Sequence, residues 1–384
     1  MPTPNSLHEL FLGNDIKTQE PVTLEATHAR TILICGKRGS GKSYSLGVLA
    51  EELFWHHSAP LILLVDPMGI FWTMSQAASS ATQAIPVTLL VPGDPTVRYP
   101  QGLLEHLLTL GIIVKRVSLP PSALSPDAWC ALFDLSINEP LGIALYRATT
   151  QLAPRQRPYG LMDLREAIEQ DALSQDRTKE ALLNRVSMAH TWGLFEASHS
   201  SLSELLIPGT LHVLDLSTLD YNLQGLRSLV LAVLTQQLFN TSSRLRQQLA
   251  ASPELPFPKV WLLIDEAHQF IPQGQSTLAK DVLIRWVKEG RQPGLSCVLA
   301  SQQPGSLDQE ILSQCDALLA HKLTNLEDIT ALNRLSQAYM GSELRVYLRH
   351  LKHPGQAVLL DDARERLSIL HIRERITRHG GGEV

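Results

Sequence analysis

The sequence predicts an α/β fold in which a mostly parallel sheet carries an α-helical insertion. Short apolar runs recur along the chain with helical patterns between several of them, an arrangement typical of parallel strands covered on both faces. A glycine-rich motif lies between the first of these runs and a helical pattern, Tyr44–Leu53. The stretch 120–203 has helical periodicity and few β-branched runs. We interpret this stretch as helices inserted between two strands of the sheet.

The core is predicted strand by strand. Seven apolar runs are predicted to be strands: Thr31–Cys35, Leu61–Val65, Thr88–Val91, Leu211–Leu216, Val260–Ile264, Cys297–Ala300 and Ala317–Lys322. Helices are expected around Leu326–Leu335 and Ser342–Leu351, and a final hairpin pairs Gly355–Leu360 with Leu367–Arg373. We therefore divide the chain into a lead segment (1–28), a core (29–119 and 204–384) and the insertion (120–203).

Composition bounds the function classes. The chain has 384 residues, 44% of them hydrophobic, and a net charge of −5, so nucleic-acid contacts, if present, must be local. No apolar run reaches membrane-spanning length, and residues 1–9 lack the pattern of a signal peptide. The four cysteines form no C-x-x-C pair and the fourteen histidines show no metal-ligand spacing. We expect a cytoplasmic protein without a membrane partner.

A complete phosphate-binding motif, G-x-x-x-x-G-K-[ST], follows the first predicted strand. It consists of Gly36, Lys37, Arg38, Gly39, Ser40, Gly41, Lys42 and Ser43. The glycines allow successive backbone N–H groups to point at phosphate oxygens, and the following helix adds partial positive charge. Lys42 is expected to reach the β- and γ-phosphates, and Ser43 to ligate Mg²⁺. With Tyr44, these residues form the predicted ATP-binding set.

An acidic pair ends a later strand. Asp265 and Glu266 follow the apolar run Val260–Ile264. Asp265 can hold Mg²⁺ through its water shell, and Glu266 can polarise an attacking water. The additional glutamate favours hydrolysis over transfer to a substrate hydroxyl, which argues against a kinase.

The letters Asp265-Glu266-Ala267-His268 also spell the DEAH box of two-lobed helicases. Such helicases need a second complete lobe after the box, and the residues after His268 are too few for one. Their phosphate loop also usually ends in threonine, whereas this chain has Ser43. We reject this alternative.

Two further polar residues lie next to predicted strands. Gln302 follows the strand Cys297–Ala300, where it could contact a γ-phosphate or the attacking water. Arg291 lies on a glycine-flanked turn, from which its guanidinium could reach a neighbouring subunit's nucleotide. An equally simple interpretation of Arg291 is a cation that balances a helix C-terminus.

These segments together resemble the HerA/FtsK group of hexameric DNA-pumping ATPases, and within it the HerA-like branch. The matching segments are GKRGSGKSYSLGVLAEEL, LLVDPMGIFW, VWLLIDEAHQFIP, the stretch from Glu289 to Asp328, and HIRERITRHGG. The resemblance implies a RecA-like P-loop NTPase core that uses ATP and Mg²⁺. It also implies a homo-oligomer, expected to be a hexamer, acting on double-stranded DNA with a nuclease or other effector as partner.

The resemblance also implies residue roles. Gln302 would be a sensor of hydrolysis, Arg291 would complete a neighbour's site in trans, and Arg30 would lie near the γ-phosphate in cis. Asp66 matches an acidic position near the nucleotide. Full-length HerA proteins carry an N-terminal β-barrel, whereas residues 1–28 are expected to be too short for one. The alternative to a DNA translocase is therefore a regulatory or scaffolding ATPase ring that activates a partner, as in anti-phage defence.

Overall fold

The structure is a computed structural model that describes residues 9–55, 60–79, 81–153, 158–197, 202–207, 209–220, 224–249, 259–336 and 344–381. Twelve strands in this part of the chain form one sheet in the order β2-β1-β12-β11-β10-β3-β9-β8-β4-β7-β5-β6. The strands are β1 (Glu9–Asp15), β2 (Pro21–Glu25), β3 (Thr31–Cys35), β4 (Leu61–Asp66), β5 (Val87–Pro92), β6 (Ile113–Val117), β7 (Leu211–Asp215), β8 (Val260–Ile264), β9 (Leu295–Ser301), β10 (Ala317–Ala320), β11 (Gln356–Asp361) and β12 (Arg366–Ile372).

The central strands, from β10 through β3 to β6, pair in parallel. The other strands, β11, β12, β1 and β2, pair antiparallel and extend the sheet at one end. This confirms the predicted mostly parallel sheet. Because the parallel strands end at the same edge, their carboxyl-terminal residues lie side by side there.

Helices cover both faces of the sheet. They are α1 (Lys42–Phe54), α2 (Pro95–Arg98), α3 (Gln101–Thr109), α4 (Pro126–Leu132), α5 (Pro140–Leu152), α6 (Leu161–Glu169), α7 (Asp176–Thr191), α8 (Leu202–Leu205), α9 (Gln224–Leu249), α10 (Lys280–Glu289), α11 (Gln309–Leu312), α12 (Leu326–Ser336) and α13 (Leu344–Leu348). The first two residues of the predicted helix Ser342–Leu351 lie outside the described part of the chain.

Alternate side chains of the buried strands point to opposite faces of the sheet, and different helices pack on each face. In β3, Ile32 and Ile34 pack with α1 in one apolar cluster, whereas Leu33 and Cys35 pack in the other. The second cluster contains apolar residues of α4–α7, α9, α10, α12 and α13. The sheet therefore separates α1 from the helices that follow β6, and the loop between β3 and α1 lies at the edge between the two faces.

Three strands were not predicted. The strands β1 and β2 lie in the lead segment, where β1 pairs with β12 and so joins the two ends of the described chain. The third, β6, pairs only with β5 at the other end of the sheet. Between β6 and β7 the described residues form helices and turns and no further strand. No helix in the described part is both long and apolar enough to cross a membrane.

Candidate nucleotide-binding site

The loop between β3 and α1 is shaped by glycines at two positions that no other residue would fit well. Gly41, just before α1, has φ 110°, a left-handed conformation that side chains disfavour. A Cβ on Gly36 would lie 2.4 Å from the Ser40 hydroxyl and 2.7 Å from the His321 Cβ. The predicted curled loop is therefore formed at the carboxyl end of β3, at the amino end of α1.

Lys42 is buried in this loop, with 5% of its surface exposed. Its Nζ lies 3.4 Å from the Lys37 carbonyl oxygen. Burial lowers the pKa of Lys42, and the nearby carboxylates of Glu266 and Asp265 oppose that shift. A desolvated ammonium with one long hydrogen bond gains strongly from an anionic ligand such as a phosphate.

Ser43 and Asp265 bring the two predicted motifs into direct contact. The Ser43 hydroxyl donates to Asp265 Oδ2 at 2.9 Å, and the Glu266 N–H donates to Asp265 Oδ1 at 3.0 Å. Burial, and then the charge of Glu266, raise the pKa of Asp265 to about 6. A bound cation would stabilise the ionised carboxylate of Asp265 and so oppose the rise in its pKa.

These oxygen donors fit Mg²⁺. In the described part of the chain, no group of three or more His, Cys, Asp or Glu side chains could hold a metal ion by itself. Mg²⁺ usually keeps several waters and binds through one or two protein oxygens together with substrate phosphates. A hydroxyl and a buried carboxylate beside a phosphate loop match that requirement.

Glu266 presents one free oxygen. The residue has φ 49° and is 7% exposed. Gln302 donates its side-chain N–H to Glu266 Oε1, whereas Oε2 is buried without a hydrogen bond to the described residues. His268 Nδ1 lies 3.4 Å from that oxygen but also hydrogen-bonds the Ser301 hydroxyl at 3.3 Å. Burial lowers the pKa of His268, which favours a neutral ring, so Oε2 remains an acceptor for a further donor.

A buried histidine contacts the phosphate loop and the first turn of α1. His321, which follows β10, is fully buried. Its Nδ1 lies 3.0 Å from the Gln356 carbonyl oxygen, so Nδ1 carries the proton, and its Nε2 accepts from the Ser45 hydroxyl at 2.9 Å. Sequence reasoning missed His321, because nothing local to Ala317–Lys322 indicates that its side chain reaches the loop.

A cavity of about 430 Å³ adjoins the loop on the α1 side. Its walls include Gly39, Gly41–Tyr44, Ile70, Gly355 and residues between His371 and Gly381. The Tyr44 hydroxyl accepts from the Arg375 N–H at 2.7 Å, and the Tyr44 and His379 rings meet edge-on at 5.4 Å. The segment 371–381 therefore forms a wall of the site, although no role for it was predicted.

Glu51 fastens this wall to α1. Its carboxylate is fully buried and accepts from Arg373 Nη1 at 2.7 Å and from the Thr377 N–H at 2.8 Å. The Arg375 guanidinium packs against α1 at Gly47, where a Cβ would lie 2.5 Å from it. The phosphate-loop helix and the wall therefore form one packed unit.

Asp66 acts on the cavity through a turn. Its carboxylate accepts from the N–H groups of Met68 at 3.0 Å, Gly69 at 2.8 Å and Phe71 at 2.8 Å. Burial, and then the neighbouring Asp215, raise the pKa of Asp66 to about 7. Asp66 thus fixes the turn that carries Ile70 to the cavity, and its own oxygens are occupied by backbone donors.

The two candidate arginines lie away from the loop of their own chain. Arg30 precedes β3, about 20 Å from the loop at the usual rise of a strand. It is buried and pairs with Asp361, Nη2 to Oδ1 at 2.6 Å. The structure therefore corrects the expected cis contact of Arg30 with a γ-phosphate, because this ion pair holds the guanidinium at the opposite edge of the sheet. Arg291 is exposed on the turn between α10 and β9, also at that opposite edge.

The sequence of this chain is similar to those of several known proteins. Residues 10–238 match the family model described as the helicase HerA central domain. The chain is 32% identical over 125 residues to a probable helicase of Methanocaldococcus jannaschii, which covers 33% of this chain and 24% of that protein. It is 27% identical over 169 residues to the DNA double-strand break repair helicase HerA of Sulfolobus acidocaldarius, which covers 43% of this chain and 33% of that protein.

A solved structure shares the fold. The structure of VirB4 of Thermoanaerobacter pseudethanolicus aligns with a TM-score of 0.58 at 15% identity, over 97% of this chain and 98% of that chain. The matched parts span no more than 33% of the length of the two helicases above. The HerA family model nevertheless covers more than half of this chain, and the chain therefore belongs to the family of the helicase HerA central domain.

Proposed function

We propose that this chain hydrolyses ATP with Mg²⁺ in a ring, expected to be a hexamer, and uses the hydrolysis to translocate double-stranded DNA. The observation that carries the ATPase assignment is the contact between Ser43 and Asp265 beside the free oxygen of Glu266. A phosphate loop, a metal-binding pair and a water-polarising carboxylate are the parts that phosphoryl transfer to water requires.

Each residue has a defined task in this mechanism. Lys42 and the loop N–H groups hold the β- and γ-phosphates. Ser43 and Asp265 would hold Mg²⁺, which neutralises charge on the phosphates. Glu266 Oε2 accepts a proton from the attacking water, while the bond from Gln302 to Oε1 fixes the orientation of the carboxylate. Gln302 thereby links the water-binding group to the strand beside it.

The exposed position of Arg291 supports a ring. Its guanidinium cannot reach the loop of its own chain, which lies at the other edge of the sheet. In a head-to-tail assembly the same residue can face the phosphates of the next subunit, where it would stabilise charge on the transferred group.

A regulatory ATPase ring that activates a nuclease or other effector remains the second candidate. It is favoured by the net charge of −5, which gives DNA no broad basic surface. Steady-state ATP turnover with and without duplex DNA, together with displacement of a triplex strand, separates the two candidates. Turnover that ignores DNA but responds to a partner protein would reject the translocase.

Glu266→Gln tests the hydrolysis mechanism. ATP binding should persist, because the loop is untouched, while turnover should fall at least about 100-fold through loss of the general base. Glu289→Gln removes an exposed carboxylate on α10 and serves as the control. Turnover at the control rate would reject Glu266 as the water-polarising group.

Lys42→Ala should abolish turnover and weaken ATP binding.

Subunit mixing tests the trans role of Arg291. Arg291→Ala and Glu266→Gln subunits should each be inactive alone. In a mixed ring, some sites receive an intact Glu266 from one subunit and an intact Arg291 from its neighbour, so turnover should return at intermediate ratios. No rescue at any ratio counts against the trans assignment.

A further inference from the structure

A second cavity, of about 320 Å³, lies on the other face of the sheet from α1. It is bounded by the segment that follows β10 and by α12 and α13. Its floor is apolar and includes Leu323, Ile329 and Leu348, which belong to the core cluster on that face. We call it the basic pocket, because its rim carries the side chains of Lys322, Arg345 and Arg349.

The rim charges have no acidic partner within the described part of the chain. Lys322, Arg345 and Arg349 are exposed, and none forms an ion pair with a carboxylate of the described residues. Arg345 and Arg349 lie one helical turn apart, since the Arg349 N–H donates to the Arg345 carbonyl at 3.3 Å. Like charges at this spacing destabilise a helix. In a chain of net charge −5, three cations that are unpaired among the described residues surround one cavity and form a local site for an anion.

A backbone hydrogen bond joins the rim of the basic pocket to the phosphate loop. The Lys37 N–H donates to the Lys322 carbonyl oxygen at 3.0 Å, and Lys322 follows His321, which supports the loop. Lys37 and Arg38 are exposed on the same loop. The positive surface therefore extends from the pocket rim toward the ATP site.

We propose that the basic pocket binds a backbone phosphate of duplex DNA, with the attached sugar against the apolar floor. Guanidinium and ammonium groups are the usual ligands of backbone phosphates. An apolar floor beneath them suits the carbon atoms of the attached deoxyribose better than it suits a bare inorganic ion. This inference rests on the proposed function for the presence of DNA, and it names the surface that holds it.

The salt dependence of DNA binding tests the assignment. The double variant Arg345→Gln/Arg349→Gln removes two rim cations, and Arg165→Gln/Lys179→Gln removes two cations from α6 and α7 as a charge-matched control. Binding of a fluorescent duplex is followed by anisotropy between about 50 and 200 mM salt. The slope of log K against log salt should become shallower by about 0.9 for the rim variant, the value of the one phosphate contact assigned to the pocket, and stay at the wild-type value for the control.

The outcomes separate the pocket from the function. Equal slopes for the rim variant and the control, with wild-type DNA binding intact, would overturn the pocket alone. Pyrophosphate and free ATP are also tested as competitors of DNA binding. If the rim variant differs from the wild type only in how well these anions compete, the nucleic-acid assignment is overturned. If the wild type binds no DNA at any salt, the translocase proposal and the pocket assignment both fail, whereas DNA-independent ATP turnover would still support the ATPase. Should the double variant not fold, Lys322→Gln is expected to weaken the same phosphate contact and to make the slope shallower by up to about 0.9.

Discussion

Lowering the pH from 7 to 5 should cost this protein about 2 kcal/mol of unfolding free energy through His321 alone. Burial, opposed by the hydrogen bond to the Gln356 carbonyl, lowers the pKa of His321 from 6.5 to about 4. Between these two values the unfolded chain binds a proton that the folded chain does not, so stability rises with pH in this window. The contribution is fully retained above pH 6.5 and is lost as the pH falls toward 4, by about 3 kcal/mol in total.

Urea unfolding at pH 7, 6 and 5 measures this effect when the wild type is compared with His321→Gln. Glutamine does not titrate in this range, whereas every other ionisable group is present in both proteins. The variant is expected to be less stable at pH 7, because the Ser45 contact changes, but to lose about 2 kcal/mol less than the wild type between pH 7 and pH 5.

Identical pH dependence in the two proteins would refute this reasoning. It would mean either that His321 accepts a proton in the folded protein at ordinary pH or that its ring is solvated. A protonated His321 would contradict the assignment of Nε2 as the acceptor from the Ser45 hydroxyl, whereas Nδ1 would still donate to the Gln356 carbonyl.

Three further substitutions follow from the packing. Arg30→Ala should destabilise the fold by about 3 kcal/mol in urea unfolding, because the buried Asp361 then keeps only the long ion pair with Arg364 Nε at 3.9 Å; unchanged stability would show that the pair is solvated. Gly47→Ala should lower stability by about 1–3 kcal/mol and weaken ATP binding, since the new Cβ displaces Arg375. A melting temperature and an ATP affinity equal to those of the wild type, both measured by calorimetry, would contradict the packed wall. Tyr44→Ala should weaken ATP binding about tenfold through loss of a cavity wall, corresponding to about 1.4 kcal/mol, whereas Tyr44→Phe should keep most of the affinity; equal binding by both variants would remove Tyr44 from the site.

The central strands could be predicted from the sequence, because each is a short apolar run buried on both faces. All seven predicted strands are present, and most of their ends agree to within one or two residues. The missed strands lie toward the ends of the sheet, where such runs are absent. Ile113–Val117 contains Lys115 and Arg116 and is only partly buried, as suits an edge strand. In β1 and β2, glycine, asparagine and turn residues interrupt the pattern.

The candidate site divides in the same way. The loop and the pair Asp265–Glu266 follow from local motifs, and Gln302 is found beside Glu266 because neighbouring parallel strands end at the same edge. The wall formed by residues 371–381 could not be derived, since it depends on contacts with α1 across more than 300 positions. A glutamate on an otherwise apolar helix face, Glu51, was a signal in the sequence, because a fully buried carboxylate requires partners.

The pairing of the phosphate-loop helix with the segment 371–381 has a consequence for biosynthesis. A ribosome makes the loop early and reaches the wall residues of its cavity, between His371 and Gly381, only after the first eleven of the described strands have been translated. A nascent chain therefore displays the glycine loop without the surfaces contributed by His371 and His379. The proposed ATP-binding surface is therefore incomplete until these residues have been translated.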